Sequence, residues 1–354
     1  MKLGLGIGYS GAHLDVPVEL VQRAEALGYD SVWTAEAYGS DAVTPLAYLA
    51  GKTERIKLGT AIMQLAARTP ANAAMSAATI DAISGGRFIA GIGVSGPQIV
   101  EGWYGQPWGK PYYRIKDYVA IMRKIFAREA PVSHDGPEIK LPFTGEGALG
   151  VGKPLKSILH MNPKIPIYLG TGNEATVKLT AEIADGWLPL GLVPGSMKEY
   201  QPWLEEGFRR AGNGKSMANF EIQVGAHVEV NSDVKSALAK LKPDVALYVG
   251  GMGHKDKNYH KDIMIRRGFK EAADRIQELY LAHRKDEAAA AVPDEWVDLK
   301  SLVGPPARIK QRFRAWEDMG VTGLTVRAKS PDAIEVMAEA ARLNPRGPIA
   351  KEHS

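Results

Sequence analysis

Three glycine-bearing stretches and one carboxylate carry the chemistry that can be read from the residues. Gly170-Thr171-Gly172 stands between an apolar run and a helical period that begins near Asn173. Glycines admit close approach, free amides at a helix start point at a ligand, and the Thr171 hydroxyl adds a donor, so this turn reads as a phosphate cradle. A plain strand-to-helix turn capped by Asn173 is the structural alternative. Gly91-Ile92-Gly93-Val94-Ser95-Gly96 matches G-x-G-x-x-G letter for letter. That motif works only where a helix opens at once to hold a pyrophosphate. Prolines and glycines crowd residues 97–111, so no prompt helix is expected, and Gly93, Val94, Ser95 and Gly96 read as pocket lining at a strand end. Gly147 to Lys153 begins like a P-loop, but Pro154 stands where a magnesium-binding hydroxyl belongs.

Glu36 closes the run Trp33-Thr34-Ala35-Glu36. Chemistry in parallel α/β folds gathers at the carboxyl ends of strands, so Glu36 is the candidate catalytic or cofactor-orienting carboxylate, with helix capping as its alternative. Tyr9 and His13 after the first strand, and Ser95 and Gln98 after the fourth, would face the same mouth; Tyr9, His13 and Gln98 are candidate substrate contacts, with ordinary loop polarity as the alternative. His254 and His260 lie six residues apart and share no helical face, so they read as a charged, solvated loop and no metal site is expected.

The elements that must position these groups alternate. Leu3–Tyr9, Ser31–Thr34, Ile56–Met63, Arg87–Gly93, Pro166–Gly170, Gly186–Leu190, Phe220–Val230 and Gly323–Val326 read as strands. Between them run helical periods such as Leu20, Ala24, Leu27 and Val177, Ala181, Ala184. Eight strands, each followed by helical sequence, predict an eight-fold (β/α) TIM barrel, because parallel neighbours need helical crossovers. A doubly wound open sheet is the alternative. Residues 129–165, proline-rich and without helical period, are expected to be an insertion holding a hairpin. A second, largely helical insertion is expected at about 250–300, and one domain spans residues 1–354.

The chain of 354 residues carries 44 Lys plus Arg against 40 Asp plus Glu, a net charge of +4 without a long basic block, so nucleic acid is not an expected partner. Cysteine is absent, which excludes disulfides, thiolate ligands and cysteine nucleophiles. No apolar run reaches the length of a membrane span, and a cytoplasmic protein is expected.

Together Ala26-Leu27-Gly28-Tyr29-Asp30-Ser31-Val32-Trp33, Ile56-Lys57-Leu58-Gly59-Thr60, Arg68-Thr69-Pro70-Ala71, Ser84-Gly85-Gly86-Arg87-Phe88, Ile167-Tyr168-Leu169-Gly170 and Ala184-Asp185-Gly186-Trp187 give the chain a recognisable order. It resembles the luciferase-like monooxygenase superfamily, in the branch that uses the deazaflavin coenzyme F420. The resemblance implies a homodimeric oxidoreductase with F420, or alternatively FMN, in the barrel mouth. Ala61-Ile62 would match the family's non-prolyl cis peptide, which supports the central ring. Gly93 to Gly96 would line the ring edge or ribityl chain, Gly170-Thr171-Gly172 would take the phosphate, and Met252 to Asp262 would help to cover the substrate.

Two departures narrow the activity. The family's sugar-phosphate dehydrogenases place histidine after the strand-two acid, where this chain has Ala37, and their strand-four glutamate has no match in Val94-Ser95-Gly96-Pro97-Gln98. The methylene-tetrahydropterin reductases need less acid-base machinery, since an iminium substrate accepts hydride directly, and the sequence sits closer to them. The competing functions are an FMN-dependent monooxygenase and a deazaflavin-binding protein without turnover.

Overall fold

A computed structural model describes residues 1–252 and 258–345. Eight parallel strands close on themselves: β1 (Lys2–Gly8), β2 (Ser31–Thr34), β3 (Lys57–Thr60), β4 (Phe88–Gly93), β5 (Ile167–Thr171), β6 (Gly186–Pro189), β7 (Glu221–Val230) and β8 (Gly323–Arg327). Each pairs with its successor, and β8 returns to β1 through Lys2↔Gly323 to Leu5↔Val326. Helices α1 (Val18–Ala26), α2 (Thr44–Ala50), α3 (Pro70–Ile83), α4 (Pro111–Ala127), α5 (Glu174–Ile183), α6 (Met197–Ala211), α7 (Pro306–Glu317) and α8 (Pro331–Ala340) are the main helices around it. The closed barrel settles the choice against an open sheet.

Strand alternation sorts the side chains. Leu3, Leu5, Val32, Leu58, Ile92, Leu169, Leu324 and Val326 pack outward into the layer under the helices. Inside, Trp33, Ile89 and Tyr168 form a separate apolar floor with Ala61 and Leu188. Two large rings fit there because neighbouring strands offer glycine: a Cβ on Gly59 would fall 2.4 Å from the Trp33 ring, and one on Gly186 2.7 Å from Tyr168. The floor is thus packed as a core, and only the rim above it is open to ligands.

Three local features differ from expectation. Strand three is interrupted at Ala61-Ile62 and resumes as Met63–Gln64, which pairs with Ile92 and Gly93. A short helix, Pro97–Gly102, does follow Gly96, because proline at its first position gives up only an amide that no helical carbonyl could have met. An extra strand, Ser301–Gly304, pairs along the outer half of β7, where the sequence shows no alternation long enough to announce it. The segment 129–165 holds the expected hairpin, His134–Asp135 with Lys140–Leu141. The described residues between β7 and Ser301 form mostly short helices around a second apolar cluster that includes Val249, Met264, Ile276 and Trp296.

Candidate active site

The rim has two sides. On β3, β4 and β5 the Ala61–Ile62 peptide bond is cis, at the position the resemblance implies. Ile62 rests on glycine from two neighbouring strands: a Cβ on Gly170 would lie 2.9 Å from Ile62 Cγ2, and one on Gly93 3.2 Å from Ile62 Cδ1. Ser95 adopts φ 63°, a left-handed conformation rare for a residue with a side chain and typical of strand ends that serve a site. The Met252 carbonyl lies 3.6 Å from where a Cβ on Gly96 would stand, so the second inserted segment reaches this loop. Residues 253–257 of the expected substrate cover, His254 among them, lie outside the described residues.

The turn after β5 has some of the geometry read from the sequence and lacks the rest. Asn173 caps α5 by accepting from the Thr176 amide at 3.0 Å, which leaves the first-turn amides of Glu174 and Ala175 beyond the reach of any helical carbonyl. Arg266, from the inserted helix Tyr259–Arg266, donates to the Gly172 carbonyl at 3.5 Å and brings a cation to the turn. The Thr171 hydroxyl is not the extra donor read from the sequence. It is buried 2.8 Å from Thr180 Oγ1, which itself donates to the Thr176 carbonyl at 2.7 Å, so Thr171 spends its proton inside the protein.

Glu36 also departs from expectation. Its carboxylate is buried, with Oε1 accepting from the Gln64 amide at 2.7 Å and Arg68 Nη1 at 2.6 Å, and Oε2 accepting from the Ala42 amide at 3.0 Å. Gln64 Nε2 donates back to the Glu36 carbonyl at 2.9 Å. The carboxylate expected to face the mouth therefore ties the loop after β2 to the turn that carries Ala61-Ile62. Its charge is met by Arg68, whose pKa rises through that pairing against the opposing effect of burial. A strand-end acid pairs inward where a guanidinium lies within reach, because both charges escape unpaired burial that way.

Across the rim stand β7, β8 and β1. Burial pushes the Tyr9 hydroxyl up to about 12, helped by the neighbouring Tyr248 hydroxyl and Asp244 carboxylate. His260 is no solvated loop residue: its ring packs 4.7 Å from that of Tyr248, and burial, with Lys300 and Arg327 nearby, drops its pKa to about 3. His13 and Gln98 are exposed, and neither has a hydrogen-bond partner among the described residues, so nothing joins them to the half-buried Tyr9. Sequence reasoning passed over Arg68, Arg266, Lys300 and Arg327. Arg327 was one residue beyond the expected end of the last strand, where the same strand-end rule would have found it.

Residues 2–323 match the luciferase-like monooxygenase family. The chain belongs to that family. A relative from Mycobacterium tuberculosis that carries the provisional name coenzyme F420-dependent oxidoreductase is 47% identical over 340 residues, covering 96% of this chain and 98% of its own. A 5,10-methylenetetrahydromethanopterin reductase from Archaeoglobus fulgidus is 31% identical over 309 residues, 85% of this chain and 86% of the relative. Among solved structures, the coenzyme F420-dependent tetrahydromethanopterin reductase of Methanopyrus kandleri superposes with a TM-score of 0.78 at 24% identity, covering 96% of this chain and 97% of that one. That likeness establishes the luciferase-like barrel. No helix among the described residues is long and apolar enough to cross a membrane.

Proposed function

We propose that this family member is a coenzyme F420-dependent oxidoreductase that moves a hydride between the deazaflavin and an organic substrate, with a methylene-tetrahydropterin or another small molecule as the class to test first. The observation that carries the reading is Ile62 seated on Gly93 and Gly170 at the rim, beside the open amides of α5. The two glycines let Ile62 lie flat against the wall as a ledge a planar ring could rest on, and the M. tuberculosis and A. fulgidus relatives carry names of this activity.

When bound, F420 supplies hydride chemistry at one ring carbon, and the protein supplies position and dryness. Ala61 and Ile62 would support the ring from below. Gly93, Val94, Ser95 and Gly96 would border it, and Gly170, Thr171 and Gly172 with the first turn of α5 and Arg266 would hold the phosphate. Glu36 acts as a positioning residue that fixes the turn carrying Ile62 through Gln64 and Arg68. Tyr9 keeps its proton across the working pH range, engaged with the Tyr248 side chain, and would border the substrate side. His13 and Gln98 remain candidate substrate contacts from the loops. A homodimer belongs to the same proposal, and sedimentation as a monomer at micromolar concentration would remove it.

Side-by-side titration of the apoprotein with F420, FMN and the nicotinamides tests the reading. Micromolar F420 binding together with single-turnover hydride exchange is the expected result. Binding of FMN alone would overturn it in favour of a flavin monooxygenase, and F420 binding without exchange across a substrate panel would favour a carrier.

A further inference from the structure

We propose that the wall of the rim opposite the cradle is an anion subsite built on Arg327 and Lys300, and that the substrate arrives with a carboxylate or phosphate group seated there. The inference rests on the oxidoreductase reading for the word substrate; the subsite itself stands on the following geometry.

Strand order separates the two sides. The cofactor residues ride on β3, β4 and β5, whereas β7, β8 and β1 lie across the closed barrel. Alternation along β8 fixes where Arg327 points. Leu324 and Val326 pack outward into the main core, while Thr325 points inward and its hydroxyl accepts from Gln223 Nε2 at 2.9 Å. Arg327, two residues on, lies on the inward face one layer higher. Its guanidinium crosses bare backbone: a Cβ on Gly225 would stand 3.2 Å from Arg327 Nη2, and one on Gly6 would stand 3.0 Å from Arg327 Cγ. Side chains at either glycine would displace the guanidinium.

The charge there is unbalanced. Four arginines elsewhere have carboxylates close by: Arg68 pairs with Glu36, Arg267 with Glu199, Arg308 with Asp298 and Arg114 with Glu138. Arg327 has no ion pair or hydrogen bond among the described residues, although its side chain is open to solvent at the rim. Glu229, on the adjoining strand, is taken by Lys240 at 2.9 Å and by Asn231 at 3.1 Å. Lys300 also lacks a carboxylate among the described residues. Its ammonium stands 5.0 Å over the Trp296 ring, a contact that keeps it sheltered without neutralising it. Burial disfavours the Lys300 ammonium, and the neighbouring Arg327 charge adds to that effect. Tyr9, Tyr248, His227 and His260 complete the neighbourhood, and the Asp244 carboxylate acts on Tyr9 and His227. A solvent-open guanidinium with no carboxylate among the described residues to neutralise it is free to take an anion, and its planar fork fits carboxylate and phosphoryl oxygens two at a time.

Calorimetric titration of the apoprotein at low ionic strength with inorganic phosphate, and separately with oxalate, tests the subsite. We expect millimolar binding of at least one probe, weakened about tenfold or more in Arg327→Met, partly restored in Arg327→Lys, and unchanged in the exposed, remote Arg209→Ala. The better probe then names the head group. A folded Arg327→Met protein that binds both probes as the wild type does, loss confined to Arg266→Ala, or no binding by the wild type would each overturn the proposal. Parallel F420 titration separates the two readings. Anion binding without any F420 binding would sink the oxidoreductase reading and leave the subsite, whereas equal loss of F420 and probe affinity in Arg327→Met would hand the cation to the cofactor and overturn the subsite.

Discussion

Glu36 Oε1 and Arg68 Nη1 stand 2.6 Å apart with only 3% and 15% of their side chains exposed, so one ion pair joins the loop after β2 to the start of α3. Breaking a buried pair from one side costs about 3 kcal/mol or more, because the remaining charge stays sheltered. Asp41, 3.6 Å from Arg68 Nη2, keeps a second partner in place and sets the expectation at the low end. Glu36→Gln should therefore lower the urea midpoint by an amount equivalent to about 3 kcal/mol. Arg68→Gln should do the same, and the double variant should cost much less than the sum. Additive losses would show that the two side chains act independently.

Glycine at 91 and glycine at 170 should fail differently. A Cβ on Gly91 would lie 1.7 Å from the Thr60 carbonyl oxygen, backbone that cannot yield. Thr60 Oγ1 also donates to the Gly91 carbonyl at 2.7 Å and accepts its amide at 2.9 Å. Gly91→Ala should lose about 4 kcal/mol or more and fail to accumulate as folded protein. Gly170→Ala needs only a shift of Ile62, so the barrel should fold while F420 affinity drops. Calorimetric melting of both variants, with cofactor titration of the second, checks the contrast.

Arg266 touches the cradle from an exposed position, where it can be changed without disturbing the core. Gly172 is a poorer probe, because a Cβ there would already press on Leu190 at 3.1 Å. Arg266→Glu should weaken F420 about tenfold at low salt, less at high salt, with an unchanged melting temperature. Unaltered affinity would take the phosphate away from this turn.

His260 makes stability depend on pH. Its folded pKa of about 3 lies below the ordinary 6.5, so the unfolded chain takes up the proton first. Its contribution is complete above about pH 6.5 and is lost as pH falls toward 3. Between pH 7 and pH 5 the wild type should lose about 2 kcal/mol that His260→Phe retains. Parallel denaturation curves for the two proteins at those pH values decide it.

Lys300 sets a second pH dependence with the opposite sense. Burial and the adjacent Arg327 bring its pKa down to about 8, so the ammonium is present below that pH and lost above it. Arg327 stays charged and His260 stays neutral through this window. Oxalate affinity should fall as pH rises through about 8, and Lys300→Arg should flatten the profile. A flat wild-type profile would remove Lys300 from the subsite.

Periodicity and turn chemistry are local, and they carried far. Eight apolar runs, each followed by helical sequence, point to a barrel without excluding an open sheet, which only the closure of the strands rules out, and the ordered motifs from Ala26-Leu27-Gly28 to Asp185-Gly186-Trp187 are enough to place the family. The cis peptide at Ala61-Ile62 came with that resemblance. What the linear chain left open were charges and protons, since their partners lie far along it. Glu36 meets Gln64 and Arg68 about thirty residues on, and which way the carboxylate turns depends on two loops arriving together. Thr171 ends β5 and Thr180 lies well inside α5, and only the packed geometry makes one spend its proton on the other. Arg327 is an unremarkable strand-end residue until β7 and β1 bring Gly225 and Gly6 beneath it, while Glu229, a carboxylate that β7 carries, is held by Lys240. Local sequence fixes where a side chain sits on its own strand; barrel closure decides what it faces.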